Sequence, residues 1–332
     1  MCVLATYCFQ TFGRKADVHS ATLQERTLFA MDTVMHFSVY DASNNTFEKM
    51  FEKVNQLENM LSVTKPNSAI YQLNTNGTGK ANDELIQLLQ KTLSLCEKSE
   101  GALDITLYPI LQSWGFTQNT HHIPTDDELN DVLPLVDYRK VSIHADTITL
   151  PKGMKLDFGA VAKGYTGDVL CNSLRHDGIT SALLNLGGNV QTLGTKPDGS
   201  LWKIGIQNPL SEDWVAVVEV DNKAVVTSGG YERYFEDDAG HIYWHILNPK
   251  TGKPAQNGLI SVTIIGEEGF LCDGLSTALF VQGLSDATDF WRKHPTFEAV
   301  FITEDNEIYI TEGLTPHFTL TNDAFDVQVI QL

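Results

Sequence analysis

The feature that most restricts the fold of this chain is a series of short apolar runs after residue 180. Turn-forming Gly, Asn, Asp and Pro residues separate the runs, as in strands joined by hairpins. The runs are SALLNL (181–186), WKIGI (202–206), WVAVVEV (214–220), KAVVT (223–227), IYWHI (242–246) and LISVTII (259–265). A last pair, EAVFIT (298–303) and EIYIT (307–311), follows. The second half therefore predicts a sheet whose strands are mostly antiparallel.

Helical periodicity appears at four places in the chain. From Phe47 to Leu61 apolar residues recur at three- and four-residue intervals, with Asn44 or Asn45 as the expected N-cap. The other helices are expected from Asn82–Asp83 to about Cys96, from Ala160 to Arg175, and over 271–283. Helices interspersed with hairpins predict an α+β fold, with a mostly antiparallel sheet core and flanking helices, rather than a doubly wound parallel sheet.

The amino-terminal region divides into two parts. Residues 13–28 are polar and aperiodic, whereas Phe29–Tyr40 has the apolar pattern of a strand. We therefore expect residues 1–28 to be a tether or the remnant of a trimmed leader, and residues 29–332 to form one domain. The first dozen residues are apolar but lack a basic start, so a frayed terminus is the alternative to a leader.

Charge and cysteine spacing argue against several classes of function. With 42 acidic and 23 basic side chains the formal net charge is −19, which disfavours binding to the phosphates of nucleic acid. The five cysteines lack the CxxC spacing of zinc or iron–sulfur frameworks. No stretch approaches the length of apolar sequence that spans a membrane. Nucleic acid is therefore the least supported partner.

Two glycine-containing segments predict places where a ligand could approach the backbone. In LDFGAVAKGY (156–165), Asp157 ends a strand-like run and Lys163 falls in the first turn of the next helix. Free N–H groups at a helix start bind anions, and a lysine adds positive charge. The segment is not a Walker A loop, and close helix–sheet packing also explains its glycines. In LLNLGGNVQTLG (183–194), the two glycines alone are better explained as an ordinary turn.

Two further segments carry side chains suited to catalysis or metal binding. On a strand, His241, Tyr243 and His245 would share one face, but no metal-binding pattern accompanies them. We expect His241 to be a solvated loop residue. His245 precedes an Asn-Pro-Lys-Thr-Gly turn and is expected to act in acid–base chemistry or to contact a phosphate. Asp273 and Thr277 lie one helical turn apart and suit Mg²⁺, although an N-cap and an interior threonine explain that spacing equally well.

Together these segments resemble the ApbE family of FAD:protein FMN transferases. The shared motifs are D-x-G-A-x-A-K-G-Y (157–165), N-x-G-G (185–188), T-S-G-x-Y with H-x-x-N-P-x-T-G-x-P (227–254), and a D-x-x-S-T-A helix (273–278). The N-terminal half adds Met-Asp-Thr at 31–33, a Ser…Asn segment at 68–74 and GALDITLYPILQSWGF at 101–116. The similarity extends from about residue 30 to about residue 310.

The resemblance implies an ApbE-like architecture related to the T-fold, and an enzyme that transfers FMN from FAD to a threonine hydroxyl, releasing AMP. It implies Mg²⁺ held by Asp273, Thr277 and the main-chain carbonyl of Ala160. His245 and Asp273 are the implied catalytic residues, with His245 moving a proton or holding the transferring phosphate. The implied FAD-binding residues are Met31, Ala102, Leu103, Asp104, Asp157, Lys163 and Leu247.

The resemblance also implies a partner and a location. The acceptor would be a flavoprotein with a target threonine, either a subunit of a membrane electron-transport complex or an extracellular flavoprotein. The full-length protein would be extracytoplasmic and lipid-anchored, and the chain otherwise soluble, although Tyr7 before Cys8 does not fit a lipobox. Two residues depart from the family pattern. Asp32 stands where relatives often have Gly, and Thr64 where many have an aromatic residue that can stack on the cofactor.

Three other functions are compatible with parts of this pattern. A Mg²⁺-dependent FAD pyrophosphatase would use water as the acceptor and produce FMN and AMP. A flavin carrier would hold FAD without turnover, but the Asp273–Thr277 pair argues against it because a carrier needs no metal clamp. A thiamine-related lipoprotein scaffold would perform no FAD chemistry.

Overall fold

A nine-stranded sheet organises the computed structural model, which describes residues 21–117 and 120–332. The strands are β1 (Leu23–Ala30), β2 (Thr33–Tyr40), β3 (Thr78–Lys80), β4 (Ser142–His144), β5 (Thr147–Thr149), β6 (Ala182–Leu186), β7 (Asn189–Leu193), β8 (Trp202–Gln207), β9 (Trp214–Val220), β10 (Ala224–Gly229), β11 (Tyr234–Glu236), β12 (Ile242–Trp244), β13 (Leu259–Gly266), β14 (Glu298–Thr303), β15 (Glu307–Thr311), β16 (Phe318–Leu320) and β17 (Asp326–Ile330). The α-helices are α1 (Asn44–Leu61), α2 (Ala69–Asn76), α3 (Asp83–Lys98), α4 (Tyr108–Ser113), α5 (Asp126–Val132), α6 (Ala162–His176), α7 (Gly269–Gln282) and α8 (Leu284–Lys293).

The strand order of the large sheet is β1-β2-β6-β7-β10-β13-β14-β15-β17. Every neighbouring pair is antiparallel except the last, in which β17 runs parallel to β15. A second sheet, β16-β9-β8, is antiparallel throughout. The predicted α+β fold with a mostly antiparallel sheet is confirmed.

The two faces of the large sheet are buried against different partners. On β10 and β13, Val225 and Ile265 join the apolar cluster formed with β8 and β9, whereas Val226 and Ile264 join the cluster formed with helices α3, α7 and α8. Successive side chains of a strand point to opposite faces, so this alternation places the second sheet on one face and the helices on the other. Because both faces are covered, the central strands read as continuous apolar runs.

The starts of α1 and α3 follow local capping chemistry, and two of the predicted helix starts are corrected. The N-cap of α1 is Ser43 and not Asn44 or Asn45, because its Oγ accepts a hydrogen bond from the Thr46 N–H in a capping box. The predicted cap of α3 is confirmed, since Asn82 Oδ1 accepts from the Leu85 N–H at 2.9 Å. Helix α6 begins at Ala162 rather than Ala160, after a turn closed by the bond from the Val161 N–H to the Phe158 carbonyl.

The predicted boundary between tether and domain was wrong at residues 23–28. These residues belong to β1, which pairs along its whole length with β2, while residues 1–20 lie outside the described part of the chain. The expected strand Phe29–Tyr40 is in fact a hairpin that turns at Met31 and Asp32, both with positive φ. The four consecutive polar residues of β1, Gln24 to Thr27, hide its strand pattern because they show no alternation of apolar and polar side chains.

Two glycines bring helices α6 and α7 into close contact, which sets the position of the candidate site. A Cβ on Gly164 would lie 2.1 Å from the Gly269 carbonyl oxygen and 2.7 Å from Asp273 Cβ. Only glycine permits this approach, since real Cβ atoms do not come so close to other heavy atoms. Within the described ranges, no helix has the length and apolar character needed to cross a membrane.

Candidate active site

A pocket of about 690 Å³ opens where the start of α6, the middle of α7 and several strand ends meet. Loops and strand ends supply most of its wall, as is usual for ligand sites on a rigid scaffold. All eleven residues predicted for the site line this one pocket: Met31, Ala102, Leu103, Asp104, Asp157, Ala160, Lys163, His245, Leu247, Asp273 and Thr277. Segments far apart in sequence therefore meet at one pocket.

Asp273 is the most buried carboxylate of the pocket wall, with 6 % of the residue exposed. Its Oδ2 accepts a hydrogen bond from the Gly164 N–H at 2.8 Å, which ties α7 to the first turn of α6. Burial raises the pKa of Asp273 to about 6, although the positive charge of Lys163 acts in the opposite direction. The alternative interpretation of Asp273 as an N-cap is wrong, because α7 begins four residues earlier, at Gly269.

Hydroxyl groups lie close to Asp273. The Thr277 Oγ1 is 3.2 Å from the Ser228 Oγ, which is also 2.8 Å from the Ser276 Oγ. Asn189 is buried, and its amide lowers the pKa of Asp273, yet neither amide atom has a hydrogen-bond partner of normal geometry within the described residues. This corner of the pocket thus combines one buried carboxylate with neutral oxygen donors.

The predicted anion-binding segment, 156–165, is held by its own Asp157 and by Asn74 of α2. Asp157 Oδ1 accepts from the Gly159 N–H at 2.6 Å, and burial raises the pKa of this carboxyl group. Asn74 fixes the preceding residue, accepting from the Leu156 N–H at 2.7 Å and donating to its carbonyl at 2.8 Å. Lys163 Nζ lies 3.3 Å from the Gly187 carbonyl oxygen, so the two glycine-containing segments face each other across the pocket.

Asp104 lines the pocket, but its carboxylate is hydrogen-bonded to other groups of the protein. Its Oδ1 accepts from the N–H and the hydroxyl of Thr106, and its Oδ2 accepts from the Tyr138 N–H. Burial raises the pKa of Asp104, while these three donors favour the ionised form. The carboxylate therefore holds the loop that presents Ala102 and Leu103 to the pocket.

His245 is fixed through the main chain of Arg233. Its backbone N–H donates to the Arg233 carbonyl, and its Nδ1 lies 3.1 Å from the same oxygen. This contact assigns the proton to Nδ1 and leaves Nε2 as an acceptor. Burial lowers the pKa of His245 to about 4, so the ring is neutral at pH 7. The predicted common face with His241 was wrong, because β12 ends at Trp244; His241 is exposed and bonded to Asp237, as expected for a loop residue.

The pocket residues that were not singled out from the sequence include Ser228, Glu232 and Arg233. All three lie in or directly after the T-S-G-x-Y motif, which was the available signal. Arg233 forms an ion pair with Asp32 between two parts of the pocket wall. Asp32 thus lies at the pocket as its departure from the family pattern predicted, whereas Thr64 is exposed, bonds to Ser62 and is not among the lining residues.

The charge of the pocket wall is unbalanced. Its cationic side chains are Lys163 and Arg233, against five carboxylates: Asp32, Asp104, Asp157, Glu232 and Asp273. Burial raises the pKa of Asp104, Asp157, Glu232 and Asp273. A phosphate-bearing ligand entering this pocket needs additional positive charge.

Comparison with known proteins supports one family over nearly the whole chain. The model of the ApbE family matches residues 31–301. The FAD:protein FMN transferase of Treponema pallidum is 32 % identical, with 94 % of this chain and 92 % of that protein covered. That of Klebsiella pneumoniae is 28 % identical, with 90 % and 94 % covered.

Solved structures agree with this assignment. The ApbE protein of Thermotoga maritima superposes with a TM-score of 0.83 at 30 % identity, covering 89 % of this chain and 99 % of that one. The fold is also that of the flavin transferase ApbE from Vibrio cholerae, with a TM-score of 0.82 at 23 % identity and coverage of 90 % and 99 %. The gathered motifs, the family match and these relatives lead to one conclusion: the chain belongs to the ApbE family.

Proposed function

We propose that this protein is a Mg²⁺-dependent FAD:protein FMN transferase. It moves the FMN half of FAD to a threonine hydroxyl of an acceptor protein and releases AMP. The observation that carries the proposal is the convergence of Asp273, Thr277, Lys163 and His245 on one pocket. The alignments of this chain with two relatives named for this activity cover more than nine-tenths of each relative's length. This coverage supports the same reaction here.

The residues present fit a magnesium ion. Mg²⁺ prefers oxygen ligands and is held by one or two carboxylates together with substrate phosphates. Asp273 is buried with one N–H donor of normal geometry on one of its oxygens, so further lone pairs of the carboxylate are available. No group of three His, Cys, Asp or Glu residues in the described ranges is arranged to hold a metal. A site of one carboxylate and neutral oxygens therefore depends on the substrate to complete it.

Asp273, the Thr277 hydroxyl and the Ala160 carbonyl would hold the ion. When bound, Mg²⁺ would neutralise the pyrophosphate and stabilise the charge that develops on its oxygens. Lys163, in the first turn of α6, adds positive charge on the same side, and the dipole of the helix favours an anion at this end. Met31, Ala102, Leu103 and Leu247 would line the nucleotide.

His245 would act on the acceptor. Its neutral Nε2 takes the proton of the threonine hydroxyl as that oxygen forms a bond to the phosphorus of the FMN half. The bond between this phosphorus and the oxygen bridging to AMP breaks, and AMP leaves with the bridging oxygen. His245 then returns its proton to the AMP phosphate or to water. The Arg233 carbonyl keeps the ring oriented throughout, since it accepts from Nδ1.

The test measures AMP release from FAD and the mass of an added acceptor, with and without Mg²⁺. We expect AMP release coupled to a gain of one FMN on the acceptor, lost in Asp273→Ala. Asp323→Ala, which removes an exposed carboxylate far along the chain, is the matched control and should transfer FMN normally. AMP release without modification of any acceptor would make the enzyme a pyrophosphatase. FAD that binds and stays intact would make it a carrier.

We propose further that the acceptor is a flavoprotein of a membrane electron-transport complex or of the extracellular space, and that the full-length protein is lipid-anchored outside the cytoplasm. Support for both comes from the family resemblance alone. Cys8 lies outside the described residues.

A further inference from the structure

Asn189, the first residue of β7, is a buried polar residue whose side chain has no hydrogen-bond partner. The residue is 1 % exposed, and neither its Nδ2 nor its Oδ1 has a partner of normal geometry within residues 21–117 and 120–332. An amide that is removed from water without compensating hydrogen bonds lowers the stability of the fold. Most buried polar groups in proteins are satisfied, so an orphaned amide needs a physical explanation.

The register of the large sheet shows which face this amide lies on. Asn189 is the register partner of Val226 on β10, and Val226 packs in the apolar cluster formed with helices α3, α7 and α8. Because directly opposite residues of an antiparallel pair point to the same face, Asn189 also faces the helices. Gln191, two residues further along β7, has the same orientation, since its Nε2 donates to the Gly164 carbonyl of α6 at 2.8 Å.

Helix α7 runs along this face of the sheet and brings Asp273 level with the amide. At one end of the contact, a Cβ on Gly269 would lie 1.7 Å from that glutamine's Nε2. At the other end, the Ser276 Oγ is 2.8 Å from the Ser228 Oγ on β10. Asp273 lies between these two contacts on the helix, and Asn189 lies between them on the sheet.

The amide lies beside the Asp273 carboxylate and behind the pocket wall. Burial raises the pKa of Asp273, and the Asn189 amide is among the groups that oppose this rise. Gly187 and Gly188, which directly precede Asn189, line the pocket together with Asp273, whereas Asn189 is not among the lining residues. Asn189 can therefore influence a bound substrate only through its neighbours, and Asp273 is the neighbour with chemistry to offer.

The orphaned amide has a use when a cation is bound at Asp273. A cation fixes the orientation of its carboxylate ligand, and hydrogen bonds from behind keep a ligand in that orientation. Mg²⁺ usually keeps several waters, and a buried water satisfies polar groups that lack partners. An apolar side chain of the same shape would relieve the metal-free protein of an unpaired amide, so the polar group points to a role beyond folding.

We propose that Asn189 is a positioning residue of the cation site. Its Nδ2 donates to the Asp273 carboxylate and holds it in the orientation that the cation requires, and its Oδ1 accepts from a water that enters with the cation. The residue touches neither FAD nor the acceptor. This inference rests on the proposed Mg²⁺-dependent transferase function, because it needs a cation at Asp273.

The test measures the Mg²⁺ concentration at which FAD binding is half-maximal. Binding is followed by flavin fluorescence at constant ionic strength, without acceptor and before turnover. Asn189→Leu should raise this midpoint at least about tenfold, since residues that orient a metal ligand typically contribute 10–100-fold to metal affinity. FAD binding in EDTA should be unchanged. Asn189→Ala, which adds no bulk, should give the same shift, and urea unfolding in EDTA checks that each variant is folded.

Ser181→Ala is the matched control. The Ser181 Oγ is also buried without a partner in the described part of the chain. It lies next to Ala182, at the end of the β6–β7 hairpin opposite to the turn that lines the pocket. The substitution therefore removes an orphaned polar group that is remote from Asp273, and it should leave the Mg²⁺ midpoint unchanged.

The outcomes separate this inference from the proposed function. The same Mg²⁺ midpoint in the wild type and in a folded Asn189 variant would overturn the positioning role and leave the transferase standing. Weaker FAD binding by the variant in EDTA would show that Asn189 acts on the nucleotide itself, which also overturns the inference. FAD binding by the wild type that does not depend on Mg²⁺ would overturn the proposed role of the metal, and the positioning role with it.

Discussion

His245 illustrates at the residue scale how one main-chain contact determines the chemistry of a side chain. The Arg233 carbonyl oxygen accepts a hydrogen bond from Nδ1–H, and burial lowers the pKa of the ring to about 4. The imidazole in the folded protein is thus still neutral at a pH at which a free histidine begins to take up a proton. Such a ring can accept a proton but has none to donate from Nε2 at neutral pH.

The first prediction concerns the titration of this ring. NMR of the free enzyme should show His245 taking up a proton only as the pH falls to about 4, well below the ordinary histidine value of about 6.5. Because the unfolded chain binds this proton first, the group lowers stability as the pH falls from the unfolded pKa towards the folded one.

His245→Gln provides the assignment and a second measurement. The signal that titrates near pH 4 should disappear. Single-turnover FMN transfer should slow by about 10²–10⁴-fold, as for loss of a general base. FAD binding should persist. A midpoint at or above the ordinary histidine value would contradict the buried, neutral ring, and unchanged transfer would remove His245 from the reaction.

At the element scale, the contact between α6 and α7 matters most, because it places Lys163 and Asp273 together. The second prediction is that Gly164→Ala destabilises the protein by about 1–3 kcal/mol or more. The added methyl group would lie 2.1 Å from the Gly269 carbonyl oxygen, and both clashing atoms lie close to the two helix axes. Urea unfolding measures the change in free energy.

Gly79→Ala is the matched control for Gly164→Ala. Its nearest new neighbour would be Leu73 Cδ1 at 3.7 Å, an ordinary contact, so stability should change little. The Gly164 variant should also bind FAD less well, since separating the helices moves Asp273 away from the α6 start. Equal stability of the two variants would show that the helices can separate without cost.

The elements that could be predicted from the sequence are those that bury a regular apolar pattern. Strands β9, β14 and β15 occupy the predicted residues. Helices α1, α3 and α7 begin and end within a few residues of their predicted bounds. Strand β1 was missed because its central residues, Gln24 to Thr27, are all polar. Strand β17 was missed because Asp326 and Gln328 interrupt its apolar residues and four of its five residues are exposed. Short capped helices such as α2 offer too few apolar positions to show a period.

The candidate site was easier to predict than the edges of the fold. Its residues lie in motifs whose glycines and polar side chains are unusual in sequence, so they could be recognised before their contacts were known. The sequence could not show which carboxylates accept hydrogen bonds from the protein and which keep oxygens available for a ligand. Asp104 and Asp273 look alike as letters, but three protein donors satisfy the first and a single N–H bond of normal geometry reaches the second.

At the scale of the whole molecule, electrostatics decides what the pocket can bind. The chain carries a net charge of −19, and carboxylates outnumber cations in the pocket wall. An FAD pyrophosphate adds more negative charge to this surface. We therefore expect FAD binding to be coupled to Mg²⁺ binding, because a bound cation would offset this negative charge.

The last prediction tests this coupling through thermal stability. Saturating FAD with Mg²⁺ should raise the Tm, because a ligand at 100 times its Kd stabilises the folded state by about 2.7 kcal/mol. Addition of EDTA should remove most of this rise, since the pyrophosphate then meets an uncompensated acidic wall. In Asp273→Ala the rise should be small and insensitive to EDTA, whereas Asp323→Ala should behave as the wild type. An equal rise with and without Mg²⁺ in the wild type would show that Lys163 and Arg233 suffice for the pyrophosphate, and that the metal has no part in binding FAD.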